Sequence, residues 1–421
     1  MVPPRPHSCC FPSAKSAAAP RRIRIIYPSP PPPHPRWHTL AYTRYINLDC
    51  GYSTGFRQQN GSLTVNTTRY PHGMAWLGRQ LHSKGLKFGM YSDAGKKRGS
   101  GVSVWYYATR PAQTLMRTFA CVFVLCWPLL LHARTTGTQQ CCSRQYGPKV
   151  NDGSAGFESL DAATFAGWGV DYLKHDGCGS KKSSYPDMRD ALNKTGRPIY
   201  YSIHGPVEVP DIANTWRTTG DITNSWESIV NTALLNSNPG RPQVAHSYAF
   251  NDPDMLEVGN LFNEHGAAQG RSHFSMWSVM KAPLLIGTDV TNMTKDTVDT
   301  LTNGEVIAVN QDDLGVQASL VRAGNASLTW AGPLSAGGFV VLMVNNGGES
   351  TTLHLNASAF DFPAEATFLA EELWSQTKLA EMVTSTSHVA FPTVEPYGCI
   401  LLRLTRTKPH LHRAQRLARN E

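Results

Sequence analysis

The chain is expected to fold as an α/β protein: a (β/α)8 TIM barrel with its first strand missing, followed by a C-terminal antiparallel β-sandwich. Three observations predict this. From Tyr45 to about Val316, short β-rich runs alternate with helical stretches, the pattern of a parallel sheet with crossover helices. Gln317–Arg403 instead carries alternating runs such as Gly338–Asn345, broken by Gly, Asn and Ser, which read as antiparallel strands. Finally, 421 residues with 41% hydrophobic and 17% charged side chains describe a globular chain with room for more than one core.

In chain order, residues 1–38 read as a disordered, basic, Pro-rich leader, and the Pro30–Pro33 run excludes the apolar region of a signal peptide. Candidate strands follow at Tyr45–Asp49, Lys87–Ser92, Asp171–His175, Pro198–Ile203, Thr215–Thr218, Val244–Ala249 and Pro283–Ile286. Helical stretches lie between them, for example Gly73–Ser83 after Pro71 and Leu160–Trp168. Seven such strands fit a TIM barrel lacking one. The resulting organisation is a catalytic unit over 39–316, a sandwich over 317–405 and a basic tail over 406–421.

One stretch fits neither unit. Thr118–Leu131 is an uncharged, mostly apolar run of 14 residues, short of the roughly 20 that span a bilayer, and Pro128 interrupts it. No membrane attachment is expected from it. It lies within Val102–Gln140, which contains no acidic residue. Val-Ser is encodable by GTGAGT, a common intron start, and Gln by CAG, a common intron end. The stretch therefore reads as a translated intron, a non-native insertion, with a lineage-specific loop as the alternative. As a water-exposed loop it would be an aggregation liability.

Charge narrows the function classes. The net +8 is carried by residues 1–38 (+6) and 405–421 (+4), leaving the body at −2. A polyanion-binding domain needs a basic body, so no nucleic-acid partner is expected. The nine cysteines show no zinc-type spacing, so no metal is expected either. Six N-x-[ST] sequons, at Asn60, Asn66, Asn193, Asn292, Asn325 and Asn356, favour a secreted or extracellular protein in which disulfides persist.

Val170–Asp176 carries the first candidate chemistry. In a strand, Lys174 and Asp176 share one face while Leu173 and His175 share the other. Asp176 then ends the strand, where barrel enzymes place reactive groups. The nearby ammonium would keep the carboxylate ionised, as a nucleophile requires. Taken alone, the pair reads more readily as a structural Lys–Asp contact. A second carboxylate, Asp221, closes Asn214–Asp221 just before a helical stretch and reads equally as a helix N-cap. A retaining glycosidase needs two carboxylates about 5 Å apart, one nucleophile and one acid/base. Two strand-end aspartates of a barrel can supply them, with Arg217 steering the second or binding a sugar hydroxyl.

A series of motifs makes the reading specific: Tyr45-Ile-Asn-Leu-Asp-Cys50, His82-Ser-Lys-Gly-Leu-Lys87, Gly89-Met-Tyr-Ser-Asp-Ala-Gly95, Asp171-Tyr-Leu-Lys-His-Asp176, Trp216-Arg-Thr-Thr-Gly-Asp221, Asn251-Asp-Pro-Asp-Met-Leu256, Lys281-Ala-Pro-Leu-Leu-Ile-Gly287 and Glu305-Val-Ile-Ala-Val-Asn-Gln311. In this order and over about residues 40–405, the chain resembles family 27 of the glycoside hydrolases, the α-galactosidases and α-N-acetylgalactosaminidases. The resemblance implies a retaining double displacement releasing terminal α-linked galactose, a C-terminal β-sandwich and no cofactor. It matches Asp176 to the nucleophile and Asp221 to the acid/base. Asp49, Tyr91, Lys174 and Arg217 match positions that hold the galactose hydroxyls, His204 is counted with them as facing the sugar, and Met255 matches an apolar residue at the pocket floor. Asp252 and Asp254 read instead as structural. Cys142, or its neighbour Cys141, matches a cysteine that pairs with the equivalent of Cys178.

Three departures qualify the match. Asp49 is followed by Cys50 where the family commonly has a second aspartate. His204-Gly205-Pro206 stands where a Cys-Glu-Trp pattern often faces the sugar 2-position, which leaves a β-L-arabinopyranosidase or α-N-acetylgalactosaminidase as alternatives. Residues 1–38 contain no counterpart of the family's first strand with its pocket tryptophan. An inactive secreted sugar-binding protein is the remaining alternative, and the presence of both carboxylates argues against it.

Overall fold

The computed structural model describes residues 45–49, 51–94, 153–177, 184–205, 210–246, 248–360, 362–363 and 365–407. The leader, the Val102–Gln140 stretch with its apolar run, Cys141, Cys142, Cys178, Pro206 and the tail beyond Thr407 lie outside the described residues.

The first unit starts with β1 (Tyr45–Leu48) and a small antiparallel hairpin of β2 (Ser53–Arg57) and β3 (Leu63–Val65). It continues with β4 (Lys87–Asp93), β5 (Tyr172–Asp176), β6 (Tyr200–His204), β7 (Thr215–Arg217) and β8 (Phe250–Asp252). The barrel strands are hydrogen-bonded in the order β1-β4-β5-β6-β7-β8, with every pair parallel. The sheet is covered on its outer face by helices, so β4 is buried at every position after Lys87, as a parallel strand with both faces covered should be. Helix Gly73–Ser83 follows its apolar spacing closely: Met74, Gly78 and Leu81 lie on the buried stripe, three or four residues apart.

Five of the seven expected strands form within two residues of the expected bounds. The other two are corrected. Arg241–Val244 is a helical turn, started by Pro242 in its first turn, where a fixed φ and a missing N–H cost nothing. The strand itself comes later, at Phe250–Asp252, beyond Tyr248 with its φ of 77°. Pro283–Ile286 forms no ladder. A single parallel bridge joins Ile286 to Leu256, and Pro283 has no N–H to offer one.

Buried Arg57 holds the hairpin to helix Glu158–Gly167. It makes a two-pronged ion pair with Asp161, at 2.6 and 2.7 Å.

The second unit is antiparallel, as the alternating runs predict. β9 (Ser319–Ala323), β10 (Ser327–Pro333), β11 (Phe339–Asn345), β12 (Thr351–Asn356), β13 (Phe368–Glu372), β14 (Thr377–Lys378), β15 (His388–Val394) and β16 (Cys399–Arg406) complete the chain. A six-stranded sheet, β14-β13-β16-β11-β10-β9, packs against the pair β12-β15 through Val341, Leu353, Leu355, Phe368 and Leu402.

Helix Gly266–Val279 is buried from Ala268 onward at every residue but Arg271, between the barrel and the sandwich. Its sequence is not apolar all round, so its polar side chains need partners. Ser272 donates to the Tyr397 carbonyl at 2.6 Å, Ser275 accepts from the Trp374 indole at 3.0 Å, and His273 accepts from the Glu257 N–H at 3.0 Å. These hydrogen bonds accompany the apolar packing of Phe274, Met276, Trp277 and Val279 in the core.

Candidate active site

All six barrel strands described end on or just before a polar side chain. Asp49 follows β1, while Asp93, Asp176, His204, Arg217 and Asp252 are the last residues of β4, β5, β6, β7 and β8. Strand alternation sorts β5 as expected. Lys174 faces the interior cavity, and Leu173 joins the outer core. His175 is fully buried on that outer side, with Nδ1 2.7 Å from the Tyr201 hydroxyl. Burial holds its imidazole down to about 3, so it is neutral and takes no part in the cavity.

The cavity is lined by Asp49, Tyr91, Lys174, Arg217 and Met255 among the residues singled out from the sequence, together with Asn47, Asp252 and Asp254. Its base depends on a glycine. Asn47 and Gly89 are register partners on β1 and β4, and a Cβ at position 89 would fall 1.7 Å from the Asn47 side-chain oxygen.

Asp176 stands beside the cavity with its side chain 13% exposed. One carboxylate oxygen accepts the Tyr91 hydroxyl at 2.7 Å, and the other accepts the Gly177 N–H at 2.7 Å. Burial disfavours its charge, but Lys174, the Tyr91 hydrogen bond, His204 and the Gly177 N–H together outweigh that and hold the carboxyl below the usual aspartate range. Tyr91, pushed up by burial and by the Asp176 charge, remains a hydroxyl donor. Lys174 feels burial against its charge, yet Asp49, Asp176 and Asp254 overcome both that and Arg217, and it stays an ammonium. It lies 5.5 Å from the centre of the Tyr91 ring, within cation–π range.

His204 places Nδ1 3.6 Å from Asp176 and is about two-fifths exposed. Its imidazole is lowered, first by burial and then by Arg217 and Lys174, against the opposing pull of Asp176 and Asp221. Both carboxylates therefore act on the same ring. Asp221 is not among the residues lining the cavity; its side chain is 87% exposed and lies 3.1 Å from Arg217. It is not the N-cap of the next helix, Trp226–Asn236; Ser225 fills that role by accepting the Ser228 N–H.

Sequence reasoning set aside Asp252 and Asp254, and both line the cavity. Asp254 contacts Arg217 at 2.9 Å. The available signal was the Asp-Pro-Asp run directly after a strand, a place where barrel enzymes cluster acids. The Cys142–Cys178 pairing lies outside the described residues, and among those described Cys399 is a free thiol.

A parallel barrel with a carboxylate-lined cavity at the carboxyl ends of its strands, followed by an antiparallel sandwich, defines a barrel glycoside hydrolase with an accessory β-domain. The comparisons make the family specific. The family model described as alpha galactosidase A matches residues 34–122 and 135–312, and the alpha galactosidase C-terminal beta sandwich domain matches 324–404. Alpha-galactosidase 2 of Arabidopsis thaliana is 35% identical over 375 residues, covering 87% of this chain and 81% of its own. The alpha-galactosidase of Cyamopsis tetragonoloba is 36% identical over 348 residues, covering 80% and 72%. The crystal structure of alpha-galactosidase I from Mortierella vinacea superposes with a TM-score of 0.67 at 26% identity, covering 87% of this chain and 89% of that one. The chain belongs to the α-galactosidase family of glycoside hydrolases.

Proposed function

We propose that this protein releases terminal α-linked galactose from oligosaccharides or glycoconjugates by double displacement, with Asp176 as nucleophile and Asp221 as general acid/base. The observation that carries this is the environment of Asp176: a strand-end carboxylate kept ionised by Lys174 and held by Tyr91 and Gly177. In the first step a carboxylate oxygen of Asp176 bonds to the anomeric carbon. The glycosidic bond breaks as Asp221 gives its proton to the departing oxygen. In the second step Asp221 takes a proton from water, whose oxygen displaces Asp176 and leaves the sugar with its original anomeric configuration. Asp49, Lys174 and Arg217 hold the hydroxyls, Tyr91 orients the nucleophile, Met255 floors the pocket and His204 faces the sugar.

A β-L-arabinopyranoside is the second reading, because Gly205 stands where the family's pattern often has a glutamate facing the 2-position, and His204 lies beside the nucleophile. Secretion is supported by the sequons: Asn60, Asn193, Asn292, Asn325 and Asn356 are all exposed, and Asn66 is half-buried. Among the described residues no helix is long and apolar enough to cross a membrane. Val102–Gln140 stays a proposed non-native insertion; the family match leaves out 123–134 and spans 102–122 and 135–140, and transcript reads across the codons for Gly101 and Cys141 test it.

The deciding experiment gives the protein aryl α-D-galactopyranosides and β-L-arabinopyranosides and follows the product anomer by NMR. Retention on the galactoside is expected. Asp176→Asn should remove almost all turnover, since an amide cannot form the glycosyl ester. Asp221→Asn should impair poor leaving groups about a hundredfold or more and activated aryl groups far less at the glycosylation step. Inversion, or activity surviving Asp176→Asn, overturns the mechanism. Turnover of arabinopyranosides alone overturns the galactoside assignment.

A further inference from the structure

We infer that Asp254 is a positioning residue that sets the place of Asp221 through Arg217 and the Ile222 peptide. This rests on Asp221 being the acid/base. Asp254 has a φ of 96°, a left-handed conformation uncommon for a non-glycine residue, and its side chain is 7% exposed. The unusual backbone is fixed from behind. The Asp254 carbonyl accepts the fully buried Trp277 indole N–H at 2.7 Å, and its own N–H donates to Asp252 at 2.9 Å.

So held, the carboxylate reaches both sides of Asp221. Oδ2 accepts the Ile222 N–H at 3.0 Å, which belongs to the peptide directly after Asp221. The same oxygen is 2.9 Å from Arg217 Nη2. That nitrogen in turn donates to the Gly220 carbonyl at 2.8 Å and to Asp221 Oδ1 at 3.1 Å. The other oxygen accepts the Met255 N–H at 2.8 Å. Asp221 itself is exposed, so its placement comes from this anchored frame rather than from packing around its side chain.

The test is Asp254→Asn in the full chain, with wild type and Asp221→Asn in parallel, using an activated aryl and an alkyl α-galactoside. The amide keeps the volume and an acceptor for Ile222. The expected result is near-wild-type thermal stability and a loss on the alkyl substrate at least tenfold greater than on the aryl one. A folded Asp254→Asn enzyme with equal loss on both substrates overturns the proposal. If Asp254→Asn does not fold, Trp277→Phe, which removes the indole N–H behind Asp254 together with part of a buried ring, decides it: the leaving-group split supports the proposal and uniform loss overturns it. Asp221→Asn without a leaving-group split overturns the acid/base assignment and this proposal with it. A split there beside uniform loss in Asp254→Asn overturns this proposal alone.

Discussion

Asp176, the last residue of β5, and Asp221, four residues beyond β7, are the same residue type in different surroundings. Asp176 is sheltered and accepts two hydrogen bonds beside an ammonium, while Asp221 faces solvent next to one guanidinium. The first environment suits a group that must stay charged, and its sign gives a pH prediction. Because Asp176 is held below the ordinary aspartate value of about 3.9, its carboxylate form persists above that depressed value and is lost as pH falls through it. The acid limb of kcat/KM should therefore lie below pH ~4. Lys174→Met removes the largest favourable influence on that charge and should move the limb upward. His204→Ala should move it the same way by less, following the order in which the two groups act. Measuring kcat/KM against pH for the three proteins checks this. If the acid limb stays in place in both variants, Asp176 is not the group that titrates there.

At the scale of the element, the strands that carry the site are short, and two principles decide which were legible. Strands with a run of apolar or β-branched residues and a polar terminus, such as Lys87–Asp93 and Tyr172–Asp176, announced themselves by composition. Alternation then placed Lys174 inside and His175 outside. Phe250–Asp252 was obscured because three residues carry almost no periodicity, and the preceding Val244–Ala249 has better strand propensity than the strand itself. Asp254 was illegible for a different reason: its role depends on Trp277 and Ile222, which sequence spacing does not bring together. Close packing between strands was equally hidden. Gly89 leaves the space that the Asn47 amide fills, and Gly89→Ala should cost about 1–3 kcal/mol as an overpacked position. Asn47→Ala in the same chain should restore most of that loss, because the new methyl then occupies the vacated volume. Denaturant unfolding of the two single variants and the double variant gives the coupling. Strict additivity of the two losses would mean the strands separate to accommodate the methyl without involving Asn47.

The whole molecule is built so that the two units share a core. The barrel's Ile229, Ala233, Trp277 and Val306 belong to one buried cluster with Trp330, Leu342 and Leu401 of the sandwich. The alternating pattern after Gln317 marked the change of fold, but a hydrophobic pattern cannot say which face of a sandwich meets a neighbour. Trp330 identifies it. Its side chain is fully buried, and its indole N–H donates at 2.9 Å to Ser237, at the end of barrel helix Trp226–Asn236. Arg403 of β16 also reaches across, pairing with Glu305 at 2.5 Å and with Glu371 of its own sheet at 2.7 Å. This last contact is partly exposed and worth little by itself, so the apolar cluster carries the coupling. Trp330→Ala should lower the stability by about 3–5 kcal/mol, the range for deleting a buried aromatic side chain. The distinguishing readout is the shape of the unfolding curve. A shared core predicts one transition moved to lower denaturant, seen alike by far-ultraviolet circular dichroism and by loss of galactosidase activity. If the variant instead shows two separate transitions, with activity lost only in the second, the barrel holds its site without the sandwich and the cluster does not bind the two into one cooperative unit.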